Sequence, residues 1–119
     1  MDIVFIESLN ISTTIGVWEW ERRIKQKLIV DLELGTDIRE AAATDDIGRA
    51  VSYKDVALRV VDYVSNSEHR LIETVAENIS DIILSEFPVR WCRVKVSKPR
   101  AVEMARNVGI VIERGQRDD

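Results

Sequence analysis

Lys27-Leu28-Ile29-Val30-Asp31-Leu32-Glu33-Leu34 carries leucine or valine at every second position, with Ile29, Asp31 and Glu33 between them. That two-residue period belongs to a strand with one face turned to a core. Upstream, Ile3 to Ile11 reads as a first strand, joined by a loop through Gly16 to Arg23, so the two pair antiparallel. Downstream, a polar connection holding Asp45 and Asp46 leads to Ser52. Ser52 can cap a helix on which Val56, Val60, Val61 and Val64 recur at helical spacing, with Asp55 three residues on as in a capping box. A second helix runs from about Arg70 to Glu86, where Ile72, Val75, Ala76, Ile79, Ile82 and Ile83 form one stripe and Pro88 stops it. Arg93 to Ser97 and Val108 to Glu113 have the length and residue types of two closing strands, separated by Pro99 to Asn107.

The order is therefore ββααββ, an α+β class that differs from βαββαβ and predicts a four-stranded antiparallel sheet with both helices on one face. Such a sheet has two open edges, which invite pairing with other copies of the chain. The 119 residues suit one domain, 1–119, and no repeat, low-complexity stretch or Gly/Pro-rich linker divides it.

Composition excludes several function classes. A single cysteine cannot form an internal disulfide, and Asp2 and Glu7 stand where a secretory signal would be basic and then apolar, so a reducing cytoplasm is expected. Apolar runs are only a few residues long, against roughly 20 for a membrane span. The net charge of −4 is dispersed. Its densest basic stretch, Arg22 to Lys27, adjoins Glu19 and Glu21 and lacks interleaved stacking aromatics, which argues against nucleic acid. One histidine and one cysteine cannot supply the three or four nitrogen and sulfur ligands of a conventional zinc site, and no Gly-rich phosphate loop is present. Neither metal nor cofactor is expected.

Four residues could carry chemistry. In Cys92-Arg93-Val94-Lys95-Val96-Ser97-Lys98-Pro99, parity sets Lys98 on the face of Cys92, Val94 and Val96. Its amine either reaches water or sits in a pocket where desolvation suits it to acid/base work. Glu73 falls in the first turn of the second helix, where unpaired N–H groups favour a carboxylate. It is either a helix-favouring charge or an acceptor for a planar N–H/NH₂ edge, with the Ile72 backbone adding polar contacts. Tyr53, next to the cap Ser52, either packs or donates a proton. Glu21, beside Trp18 and Trp20, is either solvated or a partner for a cation. Cys92 reads as a small buried hydrophobe and His69, in a polar stretch, as a solvated residue.

Ser97-Lys98-Pro99, then Ala101 and Asn107-Val108-Gly109 through Gly115, resemble the C-terminal signature of dihydroneopterin aldolases. Met1-Asp2-Ile3-Val4-Phe5-Ile6, Thr14-Ile15-Gly16-Val17 with Trp20-Glu21, and Gln26-Lys27-Leu28 resemble the family's first strand, loop and second strand. Asp45-Asp46 with Ser52-Tyr53 and Asp55, and Leu71-Ile72-Glu73 with Val75-Ala76-Glu77, resemble the approaches to its two helices. Coverage is nearly the whole chain. The resemblance implies the tunnelling fold, whose subunits form a ring-shaped barrel, here a homo-octamer of two stacked tetrameric rings with sites at subunit interfaces. It implies a pterin substrate, 7,8-dihydroneopterin, cleaved in folate biosynthesis to 6-hydroxymethyl-7,8-dihydropterin and glycolaldehyde, with epimerisation at C2′ as a side reaction. By the same resemblance Lys98, Tyr53 and Glu21 are catalytic, Glu21, Tyr53, Ile72 and Glu73 bind substrate, and Tyr53 acts on a neighbouring subunit's site. Arg100 departs from the family, in which a glycine or another residue often follows the Lys-Pro pair.

Two other functions fit the same fold. A dihydroneopterin triphosphate 2′-epimerase would need cations such as Arg22, Arg23, Lys25 and Arg100. A noncatalytic pterin-binding oligomer is compatible too, because fold does not fix function. GTP cyclohydrolase and pyruvoyltetrahydropterin synthase, which gather several histidines or cysteines around zinc, are not.

Overall fold

The computed structural model describes residues 1–117. Four strands, β1 (Asp2–Thr13), β2 (Gln26–Thr36), β3 (Trp91–Ser97) and β4 (Gly109–Gly115), form one sheet in that order, each antiparallel to its neighbour. Helices α1 (Arg39–Thr44), α2 (Tyr53–Ser65) and α3 (Ile72–Glu86) fill the middle of the chain. The architecture is the expected α+β sheet with two long helices on one face.

The core follows the alternation in β2. Leu28, Val30, Leu32 and Leu34 are fully or almost fully buried, against Val56, Val60 and Val64 of α2 and Val75, Ile79 and Ile83 of α3. Cys92, Val94 and Val96 continue this face across β3. Each such side chain contributes on the order of 1.5–3 kcal/mol by leaving water. Burial pushes the Cys92 thiol up to about 11, which keeps it neutral and bears out its reading as a small hydrophobe.

β1 keeps its apolar side on the core only by changing step. Val4 and Ile6 pair with Leu34 and Leu32, but Leu9 and Ile11 pair with Val30 and Leu28, so the parity shifts between Ile6 and Leu9. A bulge at Ser8 absorbs the extra residue: its φ is +57°, and its N–H donates to Asp31 Oδ1 at 2.8 Å.

Three details differ from the sequence reading. The connection before Ser52 contains α1, which buries none of its residues and so lacks the apolar stripe that reveals a helix. It ends at Asp45, whose φ of +52° is left-handed. α3 starts at Ile72 rather than Arg70, because Leu71 is still extended. The strands also run one to two residues beyond several of the expected ends. The Ser52 cap is present, its Oγ accepting from the Asp55 N–H at 3.3 Å.

The two ends of the sheet are chemically distinct. At one end, Thr13 Oγ1 donates to Val64 O at 2.6 Å, tying the end of β1 to the end of α2; the end of β3 and the start of α3 lie here too. At the other, Tyr53 at the start of α2 borders a hollow with Val4 and Thr36. Among the described residues no helix is long and apolar enough to cross a membrane.

Candidate active site

The turn between β1 and β2 sets the first functional group. Residues Glu19–Arg23 form a single 3₁₀ segment, closed by the Glu21 N–H donating to Trp18 O at 3.0 Å. This turn aims Glu21 inward and leaves it 4% exposed. Gly16 makes room: its φ is +126°, and a Cβ there would overlap the Glu21 carboxylate. An L side chain at residue 16 would displace the group the turn exists to present.

Lys98 arrives from β3. Its parity continues the buried face, and its N–H donates to Val108 O at 2.8 Å, which holds the strand's end beside β4 before Pro99. Lys98 Nζ lies 2.6 Å from Glu21 Oε2, and the lysine side chain retains 16% of its exposure. The Glu21 carboxylate also accepts from Gln26 Nε2 at 3.2 Å and from the Trp18 N–H at 3.2 Å. Gln26 Nε2 in turn donates to Ile15 O at 2.8 Å.

Burial works to raise the Glu21 carboxyl, but the hydrogen bonds from Lys98, Gln26 and the Trp18 N–H outweigh it and leave the group below its ordinary value. A depressed carboxyl stabilises the fold above the ordinary carboxylate range, and that contribution is lost as pH falls through the lower folded value. Glu21 is thus a fixed anion at neutral pH.

These two groups line a cavity of about 420 Å³, a size suited to a small planar ligand. Ile72 and Glu73 also line it, in the first turn of α3, with Arg70 and Leu71 preceding them. Among the described residues no side chain caps this helix start, so its first N–H groups are open to acceptors. Arg100 and Ala101 close the rim, Arg100 in a left-handed conformation with φ of +66°. The pocket therefore offers an amine paired with an ionised carboxylate, together with a helix-start carboxylate. Such a set can move protons on a ligand whose polar edge is held by Glu73. Among the described residues no group of three His, Cys, Asp or Glu could hold a metal ion.

Four of the five residues singled out from sequence, Glu21, Ile72, Glu73 and Lys98, meet in this cavity. Tyr53 does not. It is 63% exposed and lines the separate hollow at the far end of the sheet. From Val4 to Thr13, β1 alone spans about 30 Å at roughly 3.3 Å per residue, far beyond the reach of one side chain.

Gln26 joins the site without having been expected there, and His69 has partners that the sequence did not reveal. Gln26 shares the parity of Leu28 and Val30, and a polar amide on a core-facing register was a usable sign. His69, read as solvated, is half-buried: its Nε2 is 2.8 Å from the Tyr63 hydroxyl, which also accepts from Asn78 Nδ2 at 2.8 Å. Both partners come from helices brought together only by folding.

The dihydroneopterin aldolase (FolB) family model matches residues 4–113. The dihydroneopterin aldolase of Escherichia coli K12 is 50% identical over 115 residues, 97% of this chain and 94% of the relative. The crystal structure of E. coli dihydroneopterin aldolase in complex with neopterin superposes with a TM-score of 0.95, covering 97% of this chain and all of that one at 50% identity. A dihydroneopterin triphosphate 2′-epimerase of Pseudomonas aeruginosa is more distant, 27% identical over 107 residues, 90% of this chain and 87% of the relative.

Proposed function

The chain belongs to the dihydroneopterin aldolase family, and we propose that its pocket cleaves 7,8-dihydroneopterin by proton transfers through Lys98, without a Schiff base and without a metal. The observation that carries this reading is the 2.6 Å pair between Lys98 Nζ and Glu21 Oε2 in the cavity that also contains Glu73.

Glu73 and the N–H groups of the α3 start hold the polar edge of the pterin, which directs the trihydroxypropyl side chain toward Lys98 and Glu21. In its neutral form, reached by release of one proton to solvent, the Lys98 amine still donates an N–H to the ionised Glu21 carboxylate and takes the 2′-hydroxyl proton. The oxygen's electron pair forms the aldehyde as the C1′–C2′ bond breaks, and the bonding pair moves into the ring C=N next to the side chain. Glycolaldehyde leaves. Return of a proton to C1′ gives 6-hydroxymethyl-7,8-dihydropterin and balances the reaction. Because the substrate's own imine stores the electrons, lysine only shuttles protons. Addition of glycolaldehyde through its other face before release gives the C2′ epimer, a side activity.

A second reading, epimerisation of the triphosphate, has the two guanidinium groups of Arg70 and Arg100 at the cavity in its favour. Incubation with dihydroneopterin and, separately, its triphosphate, with products resolved by chromatography, tests both. Aldol cleavage yields glycolaldehyde from the first substrate. Epimerised triphosphate with no cleavage overturns the aldolase reading, and tight binding without any turnover points to a noncatalytic module.

The chain works as a homo-oligomer, an octamer of two tetrameric rings, in which Tyr53 of one copy completes the pocket of the next. Support comes from the position of Tyr53 at the far end of the sheet and from the unpaired outer edges of β1 and β4. Mixing a Tyr53→Phe variant with a Lys98→Ala variant, each inactive alone, is expected to restore part of the activity, since some interfaces pair two intact halves. No recovery after verified subunit exchange counts against a shared site.

A further inference from the structure

We propose that Arg22 is a positioning residue that sets the width of the pocket, locking the turn that carries Glu21 to the segment that carries Glu73. This rests on the aldolase reading above, which makes Glu21 and Glu73 opposite ends of one bound substrate.

Adjacent residues of a 3₁₀ turn project about 120° apart, so the same turn that sends Glu21 toward Lys98 sends Arg22 elsewhere. Arg22 Nη1 donates to Gly16 O at 3.1 Å and to His69 O at 2.9 Å, while Nη2 donates to Glu68 O. Three backbone carbonyls from two separate segments thus converge on one guanidinium. The first segment holds the glycine against which Glu21 packs, and the second runs directly into Arg70, Leu71, Ile72 and Glu73 of the cavity wall. Among the described residues no carboxylate pairs with Arg22 in the way that Glu19 pairs with Arg23 at 2.6 Å. A planar fork with several donors suits this task, whereas a lysine reaches fewer carbonyls at once.

The clamp is not needed to hold either wall's own chemistry. Glu21 keeps Lys98, Gln26 and the Trp18 N–H, and α3 keeps its packing through Val75, Ala76 and Ile79. Its loss changes the span between the walls. A displacement on the order of 1 Å can cost about 10²-fold in rate while leaving a ligand held at one end.

The test is a split between turnover and binding. Arg22→Ala and Arg22→Gln are expected to lower kcat for dihydroneopterin by about ten-fold or more, with affinity for a pterin lacking the side chain within about two-fold of wild type. Arg22→Lys recovers part of kcat, and Arg23→Ala, whose partner Glu19 is on the same exposed turn, matches wild type. The proposal fails if kcat is unchanged in both Arg22 variants. It also fails if kcat, pterin affinity and the urea midpoint fall together, because that pattern describes general destabilisation. Should the alanine variant not fold, the glutamine variant is judged by the same criteria. Lys98→Ala run alongside separates the two claims: full activity there removes the aldolase mechanism, whereas an inactive Lys98→Ala beside a normal Arg22→Ala removes only the clamp.

Discussion

Lys98→Ala lowers turnover of dihydroneopterin by about 10²-fold or more while affinity for the pterin ring stays near wild type. The expectation follows from where the amine sits. It meets the cavity beside Glu21 and not on the α3 start, which is proposed to hold the ring, so its removal takes away the proposed proton carrier and leaves the proposed anchor in place. The substitution also strips one partner from a nearly buried carboxylate, which alone costs roughly 1–3 kcal/mol. Glu21 retains hydrogen bonds from Gln26 and the Trp18 N–H, so the fold survives. Single-turnover rates, a pterin titration and a urea midpoint distinguish lost chemistry from lost structure. Wild-type turnover in a folded Lys98→Ala variant eliminates the proposed role.

Glu73→Gln weakens pterin binding by about 2–3 kcal/mol, roughly 30- to 150-fold in Kd. A carboxylate accepts two hydrogen bonds from adjacent N–H and NH₂ groups, and a charge-assisted pair is about twice as strong as a neutral one. The amide presents one acceptor and one donor, so one of the two contacts becomes donor against donor. Turnover at saturating substrate falls much less than affinity, because Lys98 and Glu21 are unaffected. Calorimetric or fluorescence titration reads the change directly, and an unaltered Kd refutes the anchoring role.

Much of the architecture could be read along the chain because it depends on short-range periodicity. Alternation in Leu28 to Leu34, the stripe from Ile72 to Ile83 and the hydroxyl of Ser52 each report a local preference that packing reinforces. Where the signal failed, the element buried nothing: α1 is short and fully outside the core, so no period marks it. The bulge at Ser8 shows the reverse case. A parity change inside β1 is visible only once Val30 and Leu32 define which face is buried.

The site divides along the same line. Parity alone assigned Lys98 to the core face of its strand, and helix spacing alone set Glu73 in a first turn, because both are properties of a few neighbouring residues. That Lys98 meets Glu21, 77 positions earlier, is decided only in the folded chain, as a 2.6 Å contact. The same holds for the three carbonyls gathered by Arg22, for His69 against Tyr63, and for the removal of Tyr53 to the far end of the sheet. Periodicity encodes which way a side chain points from its own backbone. Which distant groups it then faces depends on strand register and helix docking, and those are set by the summed burial of the whole core.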